Sequence, residues 1–283
     1  MVKWYKTYLE VYGKSFDEIS DDSIRKVKRQ LKERQNDSPL VSVVLIAHNE
    51  ERHLISCIWS LSENHCHFPI EIIAVNNNST DKTEEVLKSL GVTYYNETKK
   101  GPGYARQCGL DHARGRYHIN IDADTMYPPL YVQILVDHLR IPGNVACCSS
   151  WSYIPDERHS RLDLFFYELS RDIYLYFLSF KRPELSVRGL VFAYHTEPAR
   201  RIGIRVDIKR GEDGTLAMHL REVGKIVFIH DRKARAVTGY GTVGQDGSLL
   251  NSLKVRVYKA LRNIHQLFTK QEKYQDEESN LIK

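Results

Sequence analysis

The sequence predicts an α/β fold with a mainly parallel central sheet flanked by helices, and three observations carry that expectation. Short apolar, β-branched runs alternate with helical stretches between residues 41 and 121, the pattern of βαβ units. The first run, Val41 to Ile46, is short, largely apolar and β-branched, as in a strand covered on both faces. A polar cluster follows each run, and ligands of such sheets bind outside the carboxyl ends of the strands.

Residues 1–37 read as a helical N-terminal extension. Ile24, Val27 and Leu31 share one face of a helix over 23–35, surrounded by Lys and Arg, and Asn36-Asp37-Ser38-Pro39 ends it. The main domain spans 38–235, with halves at 38–127 and 128–235. In the first half, strands are expected at 41–46, 70–75, 92–95 and 117–121, the last ending on Asp122. Helices are expected at 50–64, after Ser79-Thr80-Asp81, whose oxygens can cap the first turn, and at 103–113. Past Pro128-Pro129 the pattern loosens. Residues 161–180 form a helix dense in aromatics, buried or touching a membrane, with a narrow polar stripe at Glu168, Arg171 and Asp172. Gly211-Glu212-Asp213-Gly214 then reads as a loop before a helix over 215–222. Residues 236–283 form a C-terminal amphipathic extension, with a basic helix over 250–268 whose apolar face carries Val257, Leu261, Ile264 and Phe268.

The chain of 283 residues is 42% hydrophobic and 27% charged, ordinary for a globular protein. Its net charge of +5 suits an anionic substrate or an acidic membrane surface. Without an aromatic-interleaved basic motif it gives no reason to expect a nucleic-acid partner. Five cysteines without Cys-x-x-Cys spacing argue against a disulfide framework or a structural zinc. No apolar run reaches the roughly 20 residues of a membrane span, and no apolar signal core follows Met1. The expectation is a cytoplasmic protein. For the terminal helices and 161–180, peripheral contact with an anionic inner membrane face and packing on the core weigh equally.

Asp122-Ala123-Asp124 places two carboxylates where a buried strand leaves the sheet. Oxygen ligands on one short turn suit a hard cation such as Mg²⁺ or Mn²⁺ that keeps positions open for phosphate oxygens. An isolated Asp-x-Asp is as easily a loop cap. Its context is more specific: Ala47-His48-Asn49-Glu50, Asn76-Asn77-Asn78-Ser79-Thr80-Asp81 and Gly101-Pro102-Gly103-Tyr104-Ala105-Arg106 each follow a predicted strand. With Gly211-Glu212-Asp213 downstream, this ordered set resembles the family 2 glycosyltransferases, inverting enzymes of the GT-A fold, from about residue 38 to about 230.

The resemblance implies a nucleotide-diphosphate sugar as donor and a hydroxyl of a glycan or lipid-linked glycan as acceptor. By the same resemblance, Ala47, His48 and Glu50 line the nucleotide pocket and Asn76 faces the base edge, where the family commonly carries Asp. An amide both accepts and donates, which leaves the base open. Arg106 lies along the diphosphate or sugar, Asp124 ligates the metal with Asp122 nearer the ribose or sugar, and Asp213 is the general base. The chain departs from the family at Val191-Phe192-Ala193-Tyr194-His195 and Thr238-Gly239-Tyr240-Gly241. A late His can ligate metal in such enzymes, but a lone His230 is more often a surface or packed residue and stays outside the site. Two alternatives stand. Ile121-Asp122-Ala123-Asp124-Thr125 also matches the signature of haloacid-dehalogenase-type phosphatases, although there the pair follows the first strand. A catalytically inactive glycosyltransferase-like binding protein is the other, disfavoured by the presence of both Asp124 and Asp213.

Overall fold

A computed structural model of the chain describes residues 4–155 and 161–239. The predicted helix over 250–268 lies outside the described residues. Helix α1 (Asp21–Arg34) starts where Ser20 accepts the Ser23 amide at 3.3 Å, with Asp21 and Asp22 complementing the positive end of the helix. Its Val27 and Leu31 are fully buried, and the helix packs on α2 (Leu54–Ser62), which is buried at every position. Ahead of it, a 3-10 segment (Trp4–Glu10) sets Tyr8 edge-on to Trp59 at 5.4 Å. The apolar face of this N-terminal region is thus spent on the core.

The strands β1 (Val41–Ala47) and β2 (Ile70–Asn77) are buried along their length, which is why their sequences do not alternate. Each fully buried Val, Leu or Ile contributes about 1.5–3 kcal/mol of hydrophobic stabilisation. Helix α3 (Thr83–Leu90), β3 (Thr93–Glu97), α4 (Pro102–His112), β4 (Tyr117–Asp122) and β5 (Thr125–Met126) follow in turn, then α5 (Tyr131–Leu139), β6 (Asn144–Cys148) and β7 (Trp151–Tyr153). The rest comprises α6 (Arg161–Lys181), β8 (Phe192–His195), α7 (Thr196–Ile202), α8 (Glu212–Val223), β9 (Lys225–Phe228) and β10 (Ala236–Thr238).

The main sheet has seven strands in the order β3-β2-β1-β4-β8-β6-β9. All its neighbouring pairs are parallel except those made by β8, which runs against β4 and β6. The carboxyl ends of β1 to β4, β6 and β9 therefore share one edge with the start of β8. A small sheet, β5-β10-β7, ties the turn after β4 to the end of the described chain, with Thr238 opposite Thr125.

Helix α6 is two-faced. Leu164, Tyr167, Leu175 and Leu178 are buried, and the predicted polar stripe fastens the helix to β7. Glu168 accepts the Tyr153 amide at 2.7 Å, and the Arg171 guanidinium lies 4.4 Å over the Trp151 ring. The other face leaves Leu162, Phe165, Phe166, Phe177 and Phe180 more than half exposed.

Candidate functional site

The turn after β4 is held from three sides. The Asp122 amide donates to Tyr127 Oη at 3.1 Å, Thr125 Oγ1 donates to Asp124 Oδ1 at 2.9 Å, and Tyr12 Oη donates to the Asp124 carbonyl at 3.3 Å. Across the crevice, Gly211 caps α8 with φ of +103°, a left-handed conformation that favours glycine. Glu212 and Asp213 consequently occupy the first helical turn rather than the loop expected before it, at the positive end of the helix.

Arg106 of α4 joins the two acidic sites. Its side chain is 1% exposed; Nη1 donates to the Ile121 carbonyl at 2.9 Å, Nη2 to the Asp122 carboxylate, and Nε lies 3.9 Å from Asp213 Oδ1. Arg106, expected along the diphosphate or sugar, points inward at the junction of the two acidic sites. The guanidinium faces two carboxylates and a carbonyl there, and its buried Nε makes no hydrogen bond. Asn120 Nδ2 donates to Asp213 Oδ1 at 2.7 Å, and Tyr194 Oη donates to Asn120 Oδ1 at 3.1 Å. Gly189 closes over this junction: a methyl group there would meet Asp213 Oδ2 at 2.3 Å and Arg106 Nη2 at 2.8 Å.

Burial pushes the Asp124 carboxyl up to about 7, helped by the charges of Asp122 and Glu50. Burial likewise raises Asp213, opposed by Arg106, and raises Glu212, where Asp213 adds to the effect. Crowded carboxylates of this kind are relieved by a cation. Among the described residues no group of three or more His, Cys, Asp or Glu side chains could hold one unaided. A hard divalent ion that keeps waters and substrate oxygens fits a two-carboxylate set. Asp124 is the better placed of the two, since Asp122 already receives Arg106.

On the β1–β3 side, Ala47 lies opposite Asn76 in the sheet register, and Asn76 lies opposite Asn96. Asn76 Nδ2 donates to Asn96 Oδ1 at 2.9 Å. His48 is exposed, with Nδ1 2.6 Å from the Asn77 carbonyl. Glu50 Oε2 lies 2.8 Å from His53 Nδ1, and its charge acts on Asp124. Asn49 and Asn78 take left-handed φ of 59° and 55° in the loops after β1 and β2. There the Thr80 amide donates to Asn49 Oδ1 at 2.7 Å, and the Asn49 amide to Ser79 Oγ at 3.0 Å, locking the two loops together. His230 packs against Tyr176 and Phe228, at 5.3 and 5.0 Å between ring centroids.

Sequence reasoning missed Tyr12, Asn96, Asn120, Gly189 and Tyr194. Only Asn120 carried a signal, a polar residue inside a predicted strand.

A family model described as "Glycosyl transferase family 2" matches residues 42–202, more than half of the chain. An uncharacterized glycosyltransferase of Methanocaldococcus jannaschii is 29% identical over 136 residues, covering 46% of this chain and 47% of that protein. The chain thus spans about half the length of that relative. Among solved structures, S. aureus TarS 1-349 in complex with UDP-GlcNAc aligns with a TM-score of 0.53 and 18% identity, over 70% of this chain and 58% of that one. The mannosyltransferase PcManGT of Pyrobaculum calidifontis, in complex with GDP-Man and Mn2+, aligns with a TM-score of 0.54 and 20% identity, over 76% and 62%. These likenesses establish the GT-A fold.

Proposed function

This chain belongs to glycosyl transferase family 2, and from that premise we propose that it moves a sugar, with inversion, from a nucleotide-diphosphate sugar to a hydroxyl of a glycan or lipid-linked glycan. Asp213 is the general base. The observation that carries the reading is the ionic bridge through Arg106, which fixes Asp213 relative to Asp122 at the carboxyl edge of the sheet.

Asp213 takes the proton of the acceptor hydroxyl as its oxygen bonds to the anomeric carbon, opposite the breaking bond to the diphosphate. A carboxyl raised by burial has a proton affinity nearer neutrality, which suits a base. Arg106 and Asn120 hold the carboxylate in one orientation. A Mn²⁺ or Mg²⁺ held by Asp124, with Asp122 beside it, would neutralise the charge that develops on the leaving diphosphate. The donor-bound relatives, with UDP-GlcNAc and with GDP-Man and Mn²⁺, support the donor class and the metal.

Asp213→Asn should lower transfer by about 10²–10⁴-fold while leaving donor binding intact. Unchanged turnover would remove Asp213 from the base role, and phosphate release from monoesters without any donor would favour the phosphatase reading instead.

The exposed apolar face of α6 and the charged outer face of α1 support a peripheral contact with an anionic membrane, near a lipid-linked acceptor. Vesicles rich in anionic lipid should retain the protein at low salt. Equal recovery with and without vesicles would withdraw the membrane contact and leave the transfer reaction standing.

A further inference from the structure

The polar side chains behind Asp213 form a column across β4 and β8. His118, Asn120 and Asp122 alternate along β4 and so share one face of the strand, and Tyr194 of β8 lies opposite His118 in the antiparallel register. His118, Asn120 and Tyr194 are fully buried, and Asp213 is 8% exposed. Burial removes water as an alternative partner, so these groups depend on one another for their hydrogen bonds.

The direction of those bonds follows from the carboxylate end. An ionised Asp213 only accepts, so Asn120 must turn its nitrogen toward it, and Nδ2 donates to Asp213 Oδ1 at 2.7 Å. Asn120 Oδ1 then faces away and needs a donor. Tyr194 Oη supplies one at 3.1 Å, and burial holds that hydroxyl above its usual range, so it keeps its proton. Reversing the amide would set Asn120 Oδ1 against the Asp213 carboxylate, two acceptors face to face. The His118 ring lies flat against the Tyr194 ring, 4.8 Å between centroids and 8° between planes, and braces it. His118 itself stays neutral, pushed down to about 3 by burial and by the charge of Arg106, so it brings no further charge into the column.

The two oxygens of Asp213 are therefore not equivalent. Oδ1 receives Asn120 and lies 3.9 Å from Arg106 Nε. Oδ2 lies on the side of Gly189, where a methyl group would stand 2.3 Å away and glycine leaves room.

We propose that Tyr194 is a positioning residue for the base: acting only through Asn120, it pins Oδ1 and leaves Oδ2 of Asp213 as the oxygen that takes the proton. Tyr194 stands in the stretch 191–195, in which the chain departs from the family, so this support belongs to this chain. The inference rests on the proposed function and adds to it the residue that orients the base.

In the test water is the acceptor, and turnover is Mn²⁺-dependent release of UDP from UDP-GlcNAc or of GDP from GDP-Man. The water oxygen bonds to the anomeric carbon, the bond to the diphosphate breaks, and the proton passes to Oδ2. Tyr194→Phe keeps the ring and its stack on His118 and should fold normally, while kcat falls about threefold to tenfold and Kd for UDP and GDP stays unchanged. Asn120→Ala removes a hydrogen bond to a charged group, so kcat per folded molecule, with the folded fraction read by circular dichroism, should fall about tenfold to a hundredfold. Once Asn120 is replaced, adding Tyr194→Phe should lower kcat by no more than about a further twofold. Two full and independent losses, an unchanged kcat in Tyr194→Phe, or an equal loss of nucleotide affinity would overturn the positioning role while leaving Asp213 as the base. Wild-type turnover in Asp213→Asn would instead remove the base, and this inference with it. If the wild type releases neither nucleotide, the Asn120 side-chain amide decides: by NMR its protons should exchange at least about tenfold faster in Tyr194→Phe than in wild type. Equal exchange would overturn the proposal.

Discussion

On the β1–β3 side of the crevice, polar side chains at the strand ends are tied mainly to one another. Asn49 holds Ser79 and Thr80, Thr83 holds the Glu50 amide, and Asn77 holds the Glu97 and Lys99 carbonyls together with the Gly101 amide. On the β8–β9 side the acidic site is tied to elements from the other half of the sheet. Asp213 hangs on Asn120 and Arg106, both from the other side, while α6 turns large apolar side chains to the surface. One side is preorganised by its own loops, the other is positioned by reaching across. A site for a common, rigid ligand can be built in advance, whereas a variable acceptor leaves fewer fixed contacts to prebuild.

Arg106 is where the comparison can be broken outright. Arg106→Met leaves the buried Asp213 and the half-buried Asp122 without their cation, so stability should fall by about 3–5 kcal/mol, with transfer lost. Arg106→Lys keeps the charge but not the fork, and should retain the fold while losing most of the activity. Equal urea midpoints for wild type and Arg106→Met would show that the two sides stand independently.

Asp124 gives the next largest effect. With its carboxyl raised from 3.8 to about 7, the folded chain keeps a proton that the unfolded chain has lost across that window. Without a cation, stability therefore falls as pH rises from about 4 to 7. A cation takes the place of the proton, so Mn²⁺ affinity should drop about tenfold per pH unit below 7. A flat affinity between pH 5 and 7 would remove Asp124 as the ligand.

Gly189→Ala probes the junction of Asp213 with Arg106. The new methyl must displace Asp213 or Arg106, and kcat should fall about tenfold to a hundredfold with donor binding unchanged. An equal loss of donor affinity would mean that the two sides are one unit. Smallest is Asn49→Ala, which removes the two bonds from Thr80 to Asn49 Oδ1 and puts Ala at a left-handed φ. About 1–2 kcal/mol of stability should be lost, read from the thermal midpoint, with no change in kcat.

The strands were legible because burial on both faces requires continuous apolar runs, and the polar clusters because they break those runs abruptly. Asp122 and Asp124 stood out for that reason, whereas Asp213 was singled out only through the family resemblance. The direction in which Arg106 points could not be read, because it depends on Asp213, 107 positions away in the chain and brought close only by the fold. Tyr12 and Tyr194 escaped because an aromatic residue in a helical or apolar segment reads as core, and only the three-dimensional partner of its hydroxyl shows otherwise. The start of α8 was misplaced by one turn because Gly211 and Gly214 both look like loop residues, while Gly211 alone is the cap.

Tyr12 reaches the Asp124 carbonyl from ahead of α1, and Gly239, just past β10, packs against the same hydroxyl. Segments from opposite ends of the described chain thus share one anchorage with the carboxylates. By reciprocity, whatever tightens that turn also fastens those segments, and whatever loosens them weakens the turn. Manganese should consequently slow protease cleavage and amide exchange around residues 4–12 and 236–239, a footprint far from the ion in sequence and adjacent to it in space.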